Sequence, residues 1–158
     1  MNNTEAVLIL DNIRSTYNVG AIFRTADAAG ISKIYLVGIT PAPLDRFGRP
    51  RKDIAKASLG AEKTIAWQQT ATIAPLLTKL KKEQYAIIAV EQAKNSVDYK
   101  KVKLGPKVAF ILGTEVTGIK EAVLKKCDIV AEIPMAGAKE SLNVSVAAGI
   151  ALFRMMGR

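Results

Sequence analysis

The chain has 158 residues, 49% hydrophobic and 23% charged, with 23 Lys and Arg against 14 Asp and Glu for a formal charge of +9; that length suits one domain over 1–158, able to bury roughly two thirds of its unfolded surface. No histidine is present and Cys127 is the only cysteine, which excludes Ser-His-Asp and Cys-His catalysis, an intrachain disulfide and the commonest zinc ligand, so no metal is expected. No apolar run reaches the roughly 18 residues that span a bilayer and no signal-peptide pattern is visible, so a cytoplasmic protein without membrane contact is expected, and the positive surplus favours a polyanionic partner, since Lys and Arg that neutralise phosphates release counterions.

Ala6–Leu10 is the first strand-length apolar run. Val19, Ile22, Phe23 and Ala26 then recur at i, i+3, i+4, i+7 and predict a helix, with Asn18 as its N-cap and Arg24 on the face opposite Phe23 and Ala26. On the residues alone Arg24 reads as a surface arginine pairing with Asp27 three positions on. A second strand is expected at Lys33–Val37, followed by the long irregular connection TPAPLDRFGRPR over 40–51, of a kind that compact domains usually keep for function. The segment 45–56 sets Arg46, Arg49, Arg51, Lys52 and Lys56 against Asp45 and Asp53, with Phe47 interleaved and Gly48 and Pro50 as breakers. Such a loop can grip a nucleic-acid backbone and offer a stacking ring. Further on come a helix at Ile73–Leu80, strands at Tyr85–Val90, Val108–Leu112 and Ile129–Ile133, a helix at Ile119–Lys126 and a terminal helix from Asn143 to Met155. The lysines of 78–83 and 120–126 read as solvated helix faces. Most of the strand runs are too continuous for a one-sided sheet, and their alternation with helices argues an α/β fold, a mostly parallel sheet with helices on both faces.

Two loops follow strands where α/β folds bind ligands: Gly113–Gly118 and Pro134–Ser141. The first nearly matches a phosphate-binding loop, but Ile119 stands where its lysine belongs and Lys120 comes one place late, about 100° round the helix. That shift rules out nucleoside triphosphate binding, and since no G-x-G-x-x-G opens the first helix, Rossmann dinucleotide binding is not expected either. The second loop reads locally as a proline-glycine turn before a helix capped by Ser141 or Asn143.

The segments 12–30, 113–120 and 133–145 together resemble the three motifs of the SpoU/TrmH branch of the SPOUT RNA methyltransferases. The resemblance implies a C-terminal trefoil knot, against the usual rule that chains do not thread loops. It implies S-adenosylmethionine as cofactor, held by Leu112, Gly113, Ile133, Met135, Ser141, Leu142 and Asn143. It implies methyl transfer to a ribose 2'-hydroxyl of tRNA or rRNA, with Asn18, Arg24, Glu115, Ser141 and Asn143 as the catalytic set. Because a guanidinium resists deprotonation, Arg24 is expected to hold a phosphate and stabilise the developing alkoxide, while Glu115, the phosphate or water accepts the proton. Asn12, Arg14, Arg46, Arg49, Arg51 and Lys52 are the expected RNA contacts. A homodimer is also implied, formed through the terminal helix with its small residues Val144, Ala147, Ala148, Gly149 and Ala151. The alternatives are a base methyltransferase of the same superfamily and a non-catalytic RNA-binding protein.

Overall fold

The structure is a computed structural model and describes residues 3–158. The five apolar runs form the strands β1 (Glu5–Asp11), β2 (Lys33–Val37), β4 (Ala86–Val90), β6 (Lys107–Leu112) and β7 (Ile129–Glu132), and two further strands, β3 (Ala66–Thr70) and β5 (Val97–Asp98), cover the edges. All pairings are parallel, in the order β3-β2-β1-β6-β4-β7-β5. The two edge strands escape a hydrophobic reading for a physical reason. β3 is AWQQT, half-exposed along its length, and β5 has only two residues, so neither carries an apolar run.

Alternation along β1 explains the two cores. Ala6, Leu8 and Leu10 face one side and pack with Phe110, Leu112 and Ile34 beneath helices α1 (Thr16–Ala29) and α6 (Val144–Met155). Val7 and Ile9 face the other side, with Ile87, Ala109 and Ile111 beneath α4 (Ile73–Lys82) and Val123 of α5 (Glu121–Leu124). Apolar burial on both faces is what a parallel sheet requires.

Several local expectations are corrected. Asn18 is not the N-cap of α1: the Ser15 hydroxyl accepts from the Asn18 backbone N–H at 3.1 Å, which puts Asn18 inside the first turn and free to point elsewhere. The basic segment is a loop only to Arg51, because Lys52–Ser58 forms α2, and Ala61–Thr64 forms the short α3. The helix expected at Ile119–Lys126 shrinks to Glu121–Leu124, since Lys126 and Cys127 bond three residues back and tighten the chain into a turn. Asn143 does cap α6, accepting from the Ser145 N–H at 2.9 Å.

α2 reaches α1 through Gly20. A Cβ there would lie 2.6 Å from Ala57 Cβ and 2.7 Å from the Ile54 carbonyl oxygen, so only glycine lets the two backbones approach this closely. α6 packs against α1 and against the short 3-10 turn Tyr99–Lys101. The small residues expected at a dimer face are largely spent inside this contact: Ala148 and Ala151 are fully buried in their own chain, and Gly149 faces Thr25. The apolar residues α6 turns outward are instead Val146, Ile150 and Phe153, at i, i+4, i+7.

Candidate functional site

Because the sheet is parallel, the carboxyl ends of β6, β4 and β7 open on one edge, and there the chain encloses a cavity of about 310 Å³, within the range of roughly 300 Å³ upward that small-molecule sites occupy. One wall is the turn after β6. Thr114 and Gly118 pair across it, the Gly118 N–H reaching the Thr114 carbonyl at 2.9 Å, with Gly118 at φ 68°. A Cβ at Gly113 would stand 2.6 Å from Ile119 Cγ1 and 2.7 Å from the Gly118 carbonyl carbon, so the turn closes on its own glycine. The opposite wall is the chain after β7, contributing Ile133, Met135, Glu140, Ser141 and Leu142, with Val144 and Ala147 of α6.

Six of the seven expected cofactor residues, Leu112, Gly113, Ile133, Met135, Ser141 and Leu142, line this cavity. Asn143 does not line it but stands beside it and joins the polar network at its edge. Sequence reasoning passed over Val90, Glu91 and Gln92 at the end of β4 as cavity residues, as well as Val144 and Ala147 of α6, while Glu140 lay within the expected loop without being singled out. The first three were within reach of the rule applied to the other loops, since they too follow a buried parallel strand at its carboxyl end.

The network draws the three motif segments together. Asn18 Nδ2 donates to Glu115 Oε1 at 3.2 Å, and Asn18 Oδ1 accepts from Asn143 Nδ2 at 3.3 Å. The backbone N–H groups of Arg14 and Ser15 also point at the Glu115 carboxylate, each at 3.4 Å. Burial by itself would raise the Glu115 carboxyl, but its own backbone N–H, the Asn18 amide and the N–H groups of Arg14 and Ser15 outweigh it and hold the group below the usual carboxylate range. Glu115 is therefore an anion at neutral pH and a weaker base than a free carboxylate.

Charge in the cavity runs against charge on the molecule. In a chain of net charge +9, the lining holds Glu91, Glu115 and Glu140 and neither lysine nor arginine. A phosphate-bearing ligand would find no cation there, whereas a ligand with an apolar body and positive charge meets matching surfaces.

The remaining candidates lie outside the cavity. Arg24 is exposed and has no ion-pair partner among the described residues, while Asp27 accepts from the Thr64 hydroxyl at 3.1 Å. It stands six residues past Asn18, about 9 Å along α1 and about 120° round its axis, and among the described residues no hydrogen bond or ion pair joins it to the Glu115 network. Arg14, Arg46, Arg49, Arg51 and Lys52 are all exposed. Asp45 builds the tip of the basic loop by accepting from the N–H groups of Phe47 (2.8 Å) and Arg49 (3.0 Å) and from Arg49 Nε (3.0 Å). Phe47 is left 66% exposed, with the guanidiniums of Arg46 and Arg49 4.8 and 5.0 Å from its ring centre. Asn12, also an expected RNA contact, takes φ 56°, accepts at its Oδ1 from the Ile39 N–H at 3.1 Å and packs against Gly38, so it braces the turn after β2.

Residues 5–153 match the SpoU rRNA Methylase family. A "Putative TrmH family tRNA/rRNA methyltransferase" of Staphylococcus saprophyticus is 36% identical over 149 residues, 94% of this chain and 57% of that protein. An AdoMet-bound rRNA methyltransferase from Sinorhizobium meliloti superposes with a TM-score of 0.84 at 31% identity, over 96% of this chain and 55% of its own. A structure described as an RNA 2'-O ribose methyltransferase superposes with a TM-score of 0.81 at 25% identity, over 99% of this chain and 57% of its own. The chain thus spans a little over half the length of these relatives. With the motif residues gathered at the carboxyl edge of the sheet and the family match running from the first strand into the last helix, the chain belongs to the SpoU rRNA methylase family.

Proposed function

We propose that this chain is an S-adenosylmethionine-dependent methyltransferase acting on a ribose 2'-hydroxyl of tRNA or rRNA. The observation that carries the reading is the Asn18, Glu115 and Asn143 network, which joins three motif segments beside a cavity free of Lys and Arg. The cavity fits the cofactor's chemistry: Leu112, Ile133, Met135 and Leu142 offer apolar surface for an adenosine, and carboxylates suit its positive charge. When bound, the cofactor supplies an activated methyl group. The chain's own residues then align the hydroxyl and manage its proton. Glu115, already held as an anion by four donors, acts chiefly by fixing Asn18, and the proton passes to an RNA phosphate or water. Arg24 holds that phosphate and stabilises the developing alkoxide.

Because Arg24 lies off the network of its own chain, the reading includes a homodimer. Tyr17, Ala21, Arg24 and Ala28 recur at helical spacing along one stripe of α1, on which α6 packs, and Val146, Ile150 and Phe153 of α6 are turned outward. Pairing through this surface carries each Arg24 toward the partner's site. Arg14, Arg46, Arg49, Arg51 and Lys52, with Phe47 as a stacking ring, form the RNA surface. The return of the chain from β7 to α6 against α1 supports the trefoil knot as the device that folds 133–143 into a wall of the pocket.

The test is incubation with methyl-labelled S-adenosylmethionine and RNA, followed by alkali. Label in alkali-resistant dinucleotides is expected, because a blocked 2'-hydroxyl cannot attack the adjoining phosphate. Label in a base would make the chain a base methyltransferase. RNA binding with no label transferred would leave a non-catalytic RNA-binding protein.

A further inference from the structure

Glu91 and Gln92 follow directly on β4, and each reaches a different wall of the cavity. The Glu91 carboxylate accepts from the Ile119 N–H at 3.0 Å and from the Gln92 N–H at 2.9 Å, and it packs against Gly118. It therefore fastens the turn that follows β6. Gln92 Nε2 donates to the Glu140 carbonyl at 2.8 Å, which fastens the loop that follows β7. No other strand end among the described residues sends side-chain hydrogen bonds to both walls. The two loops are separate in sequence, and their spacing sets the width of the pocket.

We infer that Glu91 and Gln92 are a clamp, a pair of positioning residues that holds the two cofactor loops at their binding distance before any ligand arrives. The inference rests on the reading of the cavity as the cofactor site. Gln92 is exposed and contributes no apolar packing, so its part in the clamp can be removed without opening the core. Preorganisation of this kind lowers the cost of ordering the loops on binding and acts on affinity rather than on the chemical step.

The experiment compares Gln92→Glu with Gln92→Lys by calorimetry with S-adenosylhomocysteine and by steady-state methylation. Glutamate keeps the shape but turns an acceptor toward the Glu140 carbonyl, whereas lysine restores a donor of similar reach. Gln92→Glu is expected to weaken S-adenosylhomocysteine binding roughly two- to tenfold, the scale of one hydrogen bond, raising KM for S-adenosylmethionine while kcat at saturation holds, and Gln92→Lys should recover most of the S-adenosylhomocysteine affinity, since that ligand lacks the sulfonium charge a lysine would repel. Unchanged binding in Gln92→Glu, or a fall in kcat with KM constant, overturns the clamp. If wild-type protein itself binds neither S-adenosylmethionine nor S-adenosylhomocysteine, it is the cofactor reading that falls, so the two failures are told apart.

Discussion

Arg24 bears the heaviest assignment of any residue and makes the fewest contacts. It is exposed, unpaired among the described residues and outside the cavity. Arg24→Ala should therefore fold and bind S-adenosylmethionine normally, yet transfer methyl at least about a hundredfold more slowly, the scale seen when an electrostatic stabiliser is deleted. Single-turnover kinetics beside calorimetry would check it, and full activity would remove Arg24 from the mechanism. Lysine should rescue poorly because a point charge lacks the planar fork. Glu115 makes a different prediction, about pH. Its native carboxyl lies below the usual range, so its stabilisation is complete above the unfolded value of about 4.3 and is lost as the pH falls through the lowered native value. Glu115→Gln should accordingly melt below the wild type at neutral pH, and the gap in Tm should close on acidification. A gap that widened in acid would contradict the network described here.

Among the elements, the contact between α1 and α2 depends on one missing methyl group. Gly20→Ala would drive a Cβ into Ala57 and the Ile54 carbonyl, and overpacking of this kind costs about 1–3 kcal/mol. Thermal melting should show the loss, while an unchanged Tm would mean that α2 shifts freely. The basic loop is testable by salt: replacing Arg49 and Arg51 with alanine should flatten the salt dependence of RNA binding by about one unit per lost phosphate contact and leave cofactor affinity alone. The buried strands were legible because each is apolar on both faces, and α1 because its apolar residues keep helical spacing. β3 was hidden by its polar AWQQT sequence, and the true cap of α1 was hidden because Ser15 and Asn18 are both good capping residues, so only the backbone path decides between them.

At the scale of the whole molecule, the outward apolar residues of α1 and α6 should hold two chains together. Light scattering at micromolar protein is expected to give a dimer mass, and Phe153→Asp, at a position turned out of the core, should give a folded monomer whose methylation falls with the loss of the partner's Arg24. A monomeric wild type would end that reading. The sequence by itself determined the fold class, the two ligand loops and their family resemblance, because continuous apolar strands, glycine turns and helical spacing are local properties of the chain. It pointed to small residues of the last helix as a pairing face, but their exposure is not local: packing against α1 buries Ala148 and Ala151 and turns Val146, Ile150 and Phe153 outward. Only the tertiary structure decided that Asn18 meets Glu115 and Asn143, residues 97 and 125 positions away, that Asn12 serves a turn, and that the end of β4 belongs to the site. Those facts depend on which strand ends the sheet order brings side by side, and parallel pairing across β1, β6, β4 and β7 is a long-range outcome that no local pattern of residues encodes.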